Sequence, residues 1–131
     1  MKKVLLWLWQ LPQNILGLLV ILVTGARFSE YFWWAKWSKC FGVSLGEYII
    51  FGHTPVSHDS LKHEQGHQKQ SLYLGPLYLL LIGLPSLLGN IVSRIEWVFS
   101  SKDKKVAEHI IKWYYKQPWE AWADKLGGVE R

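Results

Sequence analysis

Two histidines four residues apart, with a glutamate directly after the first, lie near the centre of the chain as His63-Glu64-Gln65-Gly66-His67. On a helix, residues four apart share one face, so both imidazoles can reach the same metal ion. Zinc accepts histidine nitrogens at about 2.0–2.1 Å and keeps one coordination position open in catalytic sites. Bound zinc lowers the pKa of water towards about 7, and Glu64 can take that water's proton. The HExxH pattern therefore predicts a zinc site with Glu64 as general base.

A catalytic zinc site needs a third protein ligand. Glu120-Ala121-Trp122-Ala123-Asp124 supplies two carboxylates four residues apart on a predicted helix, downstream of the histidines. Glu120 can bind zinc, and Asp124 can accept a hydrogen bond from a ligand imidazole and so fix its tautomer. The candidate metal ligands are thus His63, His67 and Glu120. Asp124 is the candidate hydrogen-bond partner of a ligand imidazole.

In these two motifs the chain resembles the gluzincin metallopeptidases, whose pattern is HExxH followed downstream by Glu-x-x-Ala-Asp. With apolar segments between the motifs, it is similar to the membrane-bound CaaX-prenyl-type and heat-shock-type proteases. The resemblance extends from Gly52 to Gly128 and implies the same ligands, with Glu64 as the base. It also implies a substrate strand that lies along a short edge strand before the active-site helix, for which Gly42–Phe51 is the candidate.

The helix that carries HExxH has clear start and stop signals. Ser57 or Asp59 can cap its first turn and Gly75-Pro76 ends it, which predicts a helix at about Asp59–Leu74. Gly66 lies inside this helix, where a glycine costs about 1 kcal/mol relative to alanine. Its presence indicates that another part of the chain approaches the backbone closely there.

Several other residues have chemistry of interest but weaker patterns. His53 and His58 precede the motif, so four histidines between positions 53 and 67 form an alternative, general metal-binding cluster. His109, Tyr114 and Tyr115 are candidates for stabilising the oxyanion that forms during attack on a carbonyl. Residues of these types are more often surface or packing groups.

The apolar segments indicate contact with a membrane. Nine of the 131 residues are tryptophan, which favours the boundary between lipid and water. No charge occurs from Val4 to Ala26, where Pro12 can begin a helix that ends near Thr24 and is apolar on every side. We expect an uncleaved helix at residues 1–27, in the membrane or buried in protein, followed by a zincin-like domain at residues 28–131.

A second uncharged segment runs from Gln70 to Ser93, and its path decides whether the two halves of the metal site can meet. As one helix it would be long enough to cross a bilayer. A single crossing would place His63 and Glu120 on opposite sides of the membrane. Since Gly83-Leu84-Pro85 can break a helix, we expect a bent or hairpin-like helical pair instead.

The remaining pattern predicts an α+β fold that is mostly helical, with a small β element. The lone cysteine, Cys40, is expected to be a packing residue. The other predicted elements are one or two strands in Gly42–Phe51, an interfacial segment at Tyr31–Trp37, a linker at Ser100–Lys105, a helix at Val106–Lys116, and a helix begun by Pro118 and closed by Gly127-Gly128.

Together these observations predict a membrane-associated zinc metallopeptidase whose partners are a peptide or protein substrate and membrane lipid. The net charge of +5 comes without a nucleic-acid-binding motif, so attraction to anionic lipid explains it better than binding to DNA or RNA. Two alternatives stay open. One is a non-catalytic small integral membrane protein, such as an adaptor or assembly factor, and the other is a gluzincin-like fold without activity.

Overall fold

The computed structural model of the chain describes residues 1–38, 41–100 and 103–131. Within these ranges the chain is mostly helical and carries one small sheet of four strands, as the α+β prediction requires. The predicted packing role of Cys40 and the middle of the predicted linker lie outside the described residues. The helices are α1 (Lys2–Trp9), α2 (Leu11–Thr24), α3 (His58–Leu74), α4 (Leu84–Phe99), α5 (Lys104–Lys116) and α6 (Pro118–Gly127). The strands are β1 (Arg27–Ser29), β2 (Phe32–Trp34), β3 (Gly42–Leu45) and β4 (Tyr48–Phe51).

The sheet places an edge strand next to the HExxH helix. Its order is β1-β2-β4-β3, so β3 lies at an edge. β3 and β4 form an antiparallel hairpin in which Leu45 pairs with Tyr48 across a two-residue turn. Gly46 begins that turn with φ of +65°, a conformation that glycine adopts without strain. The predicted strand segment Gly42–Phe51 is therefore confirmed as two strands, and β3 contacts α3.

Helices α3 and α6 pack closely because glycines stand at both ends of their contact. The Ser57 hydroxyl caps α3 by accepting a hydrogen bond from the Ser60 amide at 3.1 Å. A Cβ atom at Gly66 would overlap the Ala123 carbonyl of α6, and one at Gly127 would overlap the carbonyl of Lys62. The close approach predicted at Gly66 is confirmed, and it is the backbone of α6 that makes it.

The N-terminal helix pair is joined to the rest of the chain by buried polar groups. α1 and α2 meet at a bend of 85°, and α2 ends at Gly25, whose φ is +63°. On α2 the Gln13 amide donates hydrogen bonds to the Ser71 hydroxyl and to the Gly75 carbonyl, both at 2.9 Å. The expectation that this helix is apolar on every side is wrong for its first turns, because Gln13 and Asn14 face α3 and the β3–β4 turn. The predicted division of the chain into an N-terminal helix at residues 1–27 and a domain at residues 28–131 stays a prediction.

The expected break at Gly83-Leu84-Pro85 is wrong. Leu79–Phe99 forms one continuous helix, in which a π-helical segment (Leu79–Gly83) leads into α4. Pro85 lies in the first turn of α4, where a proline's fixed φ is compatible with the helix. The chain turns back later, between α4 and α5: Ser86 and Tyr114 share a hydrogen bond of 3.0 Å, which makes these two helices an antiparallel pair. This pair returns the chain to α3 without any break in α4.

Candidate metal centre

Three buried side chains from two helices converge on one point. The Nε2 atoms of His63 and His67, one turn apart on α3, lie 3.0 and 3.2 Å from Oε2 of Glu120 on α6. Zinc bonds of about 2.0–2.1 Å at tetrahedral angles would place neighbouring ligand atoms roughly 3.3 Å apart. One ligand atom from each residue lies within 4.8 Å of the other two. The three groups predicted as ligands are thus brought together at spacings that suit a single ion.

Both imidazoles are held so that Nε2 points inward. Nδ1 of His63 is 2.7 Å from Oδ1 of Asp124, the partner that the sequence predicts. Nδ1 of His67 is 2.7 Å from Oε1 of Gln70, a residue that the sequence pattern did not identify. The Gln70 amide in turn donates to the Trp119 carbonyl at 2.8 Å. An acceptor at Nδ1 fixes the tautomer and leaves the Nε2 lone pair for a metal.

The charges of the group support one another. Burial raises the pKa of Glu120, but hydrogen bonds from His63 and His67 lower it by more, so this carboxylate stays ionised far below its ordinary range. Burial lowers the pKa of His63, and the surrounding carboxylates of Glu120, Glu64 and Asp124 raise it by more. A negative centre that favours positive charge at Nε2 is an environment that also favours a metal cation.

Glu64 lies beside these groups on the wall of a cavity of about 430 Å³, which His63 and His67 also line. Its side chain is buried, and within the described residues its Oε2 has no hydrogen-bond partner. Burial raises the pKa of Glu64, and the neighbouring histidines offset this only in part. Gly42 on β3 leaves room beside it, since a Cβ atom there would lie 2.7 Å from the Phe51 ring and 3.0 Å from Oε1 of Glu64.

The buried group of His63, His67 and Glu120 can hold a metal ion. Comparison of the chain with protein-family models, with curated proteins and with solved structures finds no match. The resemblance to gluzincin metallopeptidases stays a prediction.

A cationic residue from the end of the chain closes the far side of the centre. Arg131 donates from Nε to Oδ2 of Asp124 at 2.7 Å, so Asp124 bridges Arg131 and His63. The Arg131 guanidinium also lies 3.5 Å from the ring centre of Tyr115, whose ring is perpendicular to the His63 ring (89°) with 5.2 Å between the ring centres. Arg131 therefore holds both groups that flank the His63 imidazole. No motif in the sequence identified this role.

Replacing Arg131 by glutamine is expected to weaken metal binding by roughly 10- to 100-fold, the cost of losing a group that supports a ligand. The reason is that Asp124 and Tyr115 would no longer be fixed against His63. Titration of the metal-free protein with zinc measures the change, and Arg27→Gln, which alters an exposed arginine away from the centre, is the matched control. Equal affinity in both variants would contradict this role.

The other candidate residues lie at different positions relative to the centre. Within the described residues, the group with metal-binding geometry includes neither His53 nor the exposed His58, which does not support a four-histidine cluster. Of the three oxyanion candidates, only Tyr114 lines the cavity. Tyr115 packs against Arg131 and His109 is exposed on α5.

Proposed function

We propose that this chain is a membrane-associated zinc metallopeptidase with a zincin-like site. The proposal rests mainly on the convergence of His63, His67 and Glu120 beside a cavity that both histidines line, where Oε2 of Glu64 has no hydrogen-bond partner among the described residues. A group that only stabilised the fold would not need an adjoining cavity or a buried carboxyl oxygen without a hydrogen bond. A catalytic site needs both, since substrate must enter and a base must be ready.

The donor set favours zinc. Two imidazole nitrogens and one carboxylate oxygen are a known combination for catalytic zinc, which uses three protein ligands and keeps a fourth position for water or substrate. Both histidines line the cavity, which provides room for that fourth position. When bound there, zinc would lower the pKa of water and polarise a carbonyl oxygen.

The chain's own groups would carry the proton. Glu64 reaches the cavity with a carboxyl whose pKa is raised by burial, which makes it a better proton acceptor than an ordinary glutamate. It would take a proton from the attacking water and deliver it to the amine that leaves when the peptide bond breaks. The Asp124 hydrogen bond keeps His63 in the required tautomer during this cycle.

The edge strand β3 offers a place for the substrate backbone. The Ser44 carbonyl accepts a hydrogen bond from the Tyr78 hydroxyl at 3.0 Å, so it points away from β4 towards the cavity side. Because backbone groups alternate along a strand, the groups of Gly42 point the same way. We infer that an extended peptide pairs with β3 at Gly42, next to Glu64.

Tyr114 is placed to stabilise negative charge on the carbonyl oxygen. Its ring lines the cavity, and burial together with the charge of Glu120 raises its pKa, so its hydroxyl stays protonated and can donate. Tyr114→Phe is expected to lower kcat on the order of 10²- to 10³-fold, as loss of one oxyanion donor does, in protein that is still saturated with zinc. Peptide hydrolysis kinetics and zinc titration test this. Tyr73→Phe alters an exposed tyrosine on α3 and is the control. An unchanged kcat in Tyr114→Phe would show that Tyr114 does not stabilise the oxyanion.

Exposed apolar side chains support membrane attachment. Leu79–Phe99 is long and apolar enough to cross a membrane, and only 11% of its most apolar 18-residue stretch is buried. α1 and α2 are together also long and apolar enough, although they are bent. α5, however, lies along α4 and exposes charged side chains, including Lys105, Lys112 and Lys116. Charges of this kind are costly in the hydrocarbon core. We infer that α4 rests with one face in a leaflet while α5 stays at the aqueous surface.

Purified protein is expected to bind one zinc per chain, to hydrolyse peptides, to lose this activity on chelation, and to float with anionic vesicles. Elemental analysis, a peptide assay with zinc restored after chelation, and vesicle flotation measure these properties. Flotation without stoichiometric zinc would favour a non-catalytic membrane protein. Bound zinc without chelator-sensitive hydrolysis would favour a fold that has no activity.

A further inference from the structure

The cavity at the metal centre is largely apolar away from its catalytic wall. Val20 of α2, Leu45 of β3 and Leu79 of the π-helical segment line it. Among the described residues, the ionisable side chains that line it are Glu64, the two ligand histidines and two tyrosines. A volume of about 430 Å³ is within the range of pockets that hold small ligands or a large side chain.

Exposed leucines line one side of this cavity where it reaches the surface. Three of the lining residues are large, apolar and well exposed: Leu16 of α2 at 41%, and Leu84 and Leu87 of α4 at 47% and 56%. The mouth thus opens between α2 and α4, and its rim continues into the exposed apolar faces of both helices. A polar side chain that entered here would lose water without gaining partners, whereas an apolar side chain would bury surface favourably.

We propose that the cavity is the subsite for a bulky apolar side chain beside the scissile bond, and that substrates are apolar peptide segments which enter between α2 and α4. This inference rests on the proposed function, because the position of the scissile bond is set by the metal ligands and Glu64. It adds a substrate class and a selectivity device that the metal-binding motifs do not specify. Leu87 is the rim residue with the greatest exposure, so its chemistry has the largest effect on entry.

The test uses zinc-loaded full-length protein in lipid nanodiscs and three zinc-chelating probes. These are acetohydroxamate, which carries the chelating group alone, and the hydroxamates of N-acetyl-leucine and N-acetyl-aspartate. The leucine probe is expected to bind on the order of 10- to 100-fold more tightly than acetohydroxamate, the gain from burying one large aliphatic side chain. The aspartate probe is expected to bind no more tightly than acetohydroxamate.

Two leucines of α4 provide a matched pair of variants. Leu87 lines the cavity and Leu88 does not, while their exposures are 56% and 53%. Leu87→Asp is expected to lower the affinity of the leucine probe, relative to that of acetohydroxamate, by at least 10-fold. The affinity of acetohydroxamate itself is expected to stay unchanged. Leu88→Asp changes the apolar surface to the same degree and is expected to keep the wild-type preference.

The outcomes separate the two proposals. If acetohydroxamate does not bind zinc-loaded protein, the metal centre itself is wrong and the subsite falls with it. If acetohydroxamate binds but the leucine and aspartate probes bind equally, the peptidase proposal stands and the apolar subsite is overturned. Equal losses in Leu87→Asp and Leu88→Asp would overturn the assignment of the mouth, because the effect would then come from the surface in general.

Discussion

Glu64→Gln is expected to retain zinc and to lower kcat for peptide hydrolysis on the order of 10²- to 10⁴-fold, the contribution typical of a positioned general base. Glutamine has nearly the same shape but cannot accept a proton from water. Glu64 is outside the group of three converging ligand atoms, so the substitution leaves the metal's protein ligands intact. Because burial raises the pKa of Glu64, its ionised form is destabilised by folding, and the metal-free variant should be at least as stable as the wild type at neutral pH.

Glu47→Gln is the matched control, because Glu47 is exposed in the β3–β4 turn and carries the same charge. Zinc content, thermal unfolding and kcat are measured on all three proteins. A variant Glu64→Gln that hydrolyses peptides at the wild-type rate would eliminate Glu64 as the base. Loss of zinc in this variant would instead make Glu64 part of the metal's environment and would call for another base.

The convergence of the candidate metal ligands was predictable because their spacing follows from helix geometry. Residues four apart on a helix share a face, so His63 and His67 must present their imidazoles together once α3 forms. The same rule applies to Glu120 and Asp124 on α6. Gly66 was the long-range signal, since its missing side chain predicts a close neighbour, which proves to be α6. Local rules thus predicted four groups of the candidate centre and a close approach at Gly66, but not that α6 makes it.

The supporting groups were not predictable because their residue types are common and their partners are distant. Gln70 acts on His67 from the next turn of α3, yet a glutamine on a helix has no special pattern. Arg131 becomes informative only when α6 and its C-terminal extension are folded against Asp124 and Tyr115. Such roles depend on tertiary packing, which composition and periodicity do not encode.

The fold departed from prediction where two local rules compete. Pro85 can break a helix or occupy its first turn, and the sequence does not say which. The chain uses the second option and makes its turn between α4 and α5 instead. The strands β1 and β2 have three residues each, too short for an alternating pattern to be recognised. β2 joins the sheet by pairing with β4 through Trp33 and Ile50, which is a long-range contact.

Glu120→Gln is expected to weaken zinc binding by more than the roughly 10- to 100-fold that loss of a supporting group costs, since it removes a ligand and its charge. The buried carboxylate also stabilises the fold: its pKa is lowered, so its stabilisation is present above the ordinary pKa of glutamate and absent from the amide. The metal-free variant should therefore unfold at a lower temperature than the metal-free wild type. The decisive quantity is the rise in Tm on adding zinc.

For wild type, zinc at about 100 times Kd should add about 2.7 kcal/mol, because the ion binds the folded chain across α3 and α6. Glu120→Gln should show almost no rise at the same concentration, whereas Glu130→Gln, an exposed glutamate beyond α6, should match wild type. Wild-type affinity should also fall as pH drops through the raised pKa of His63, by about tenfold per pH unit for each proton displaced. A Glu120→Gln variant that binds zinc as tightly as wild type would show that α6 supplies no ligand, and the metallopeptidase proposal would then fail.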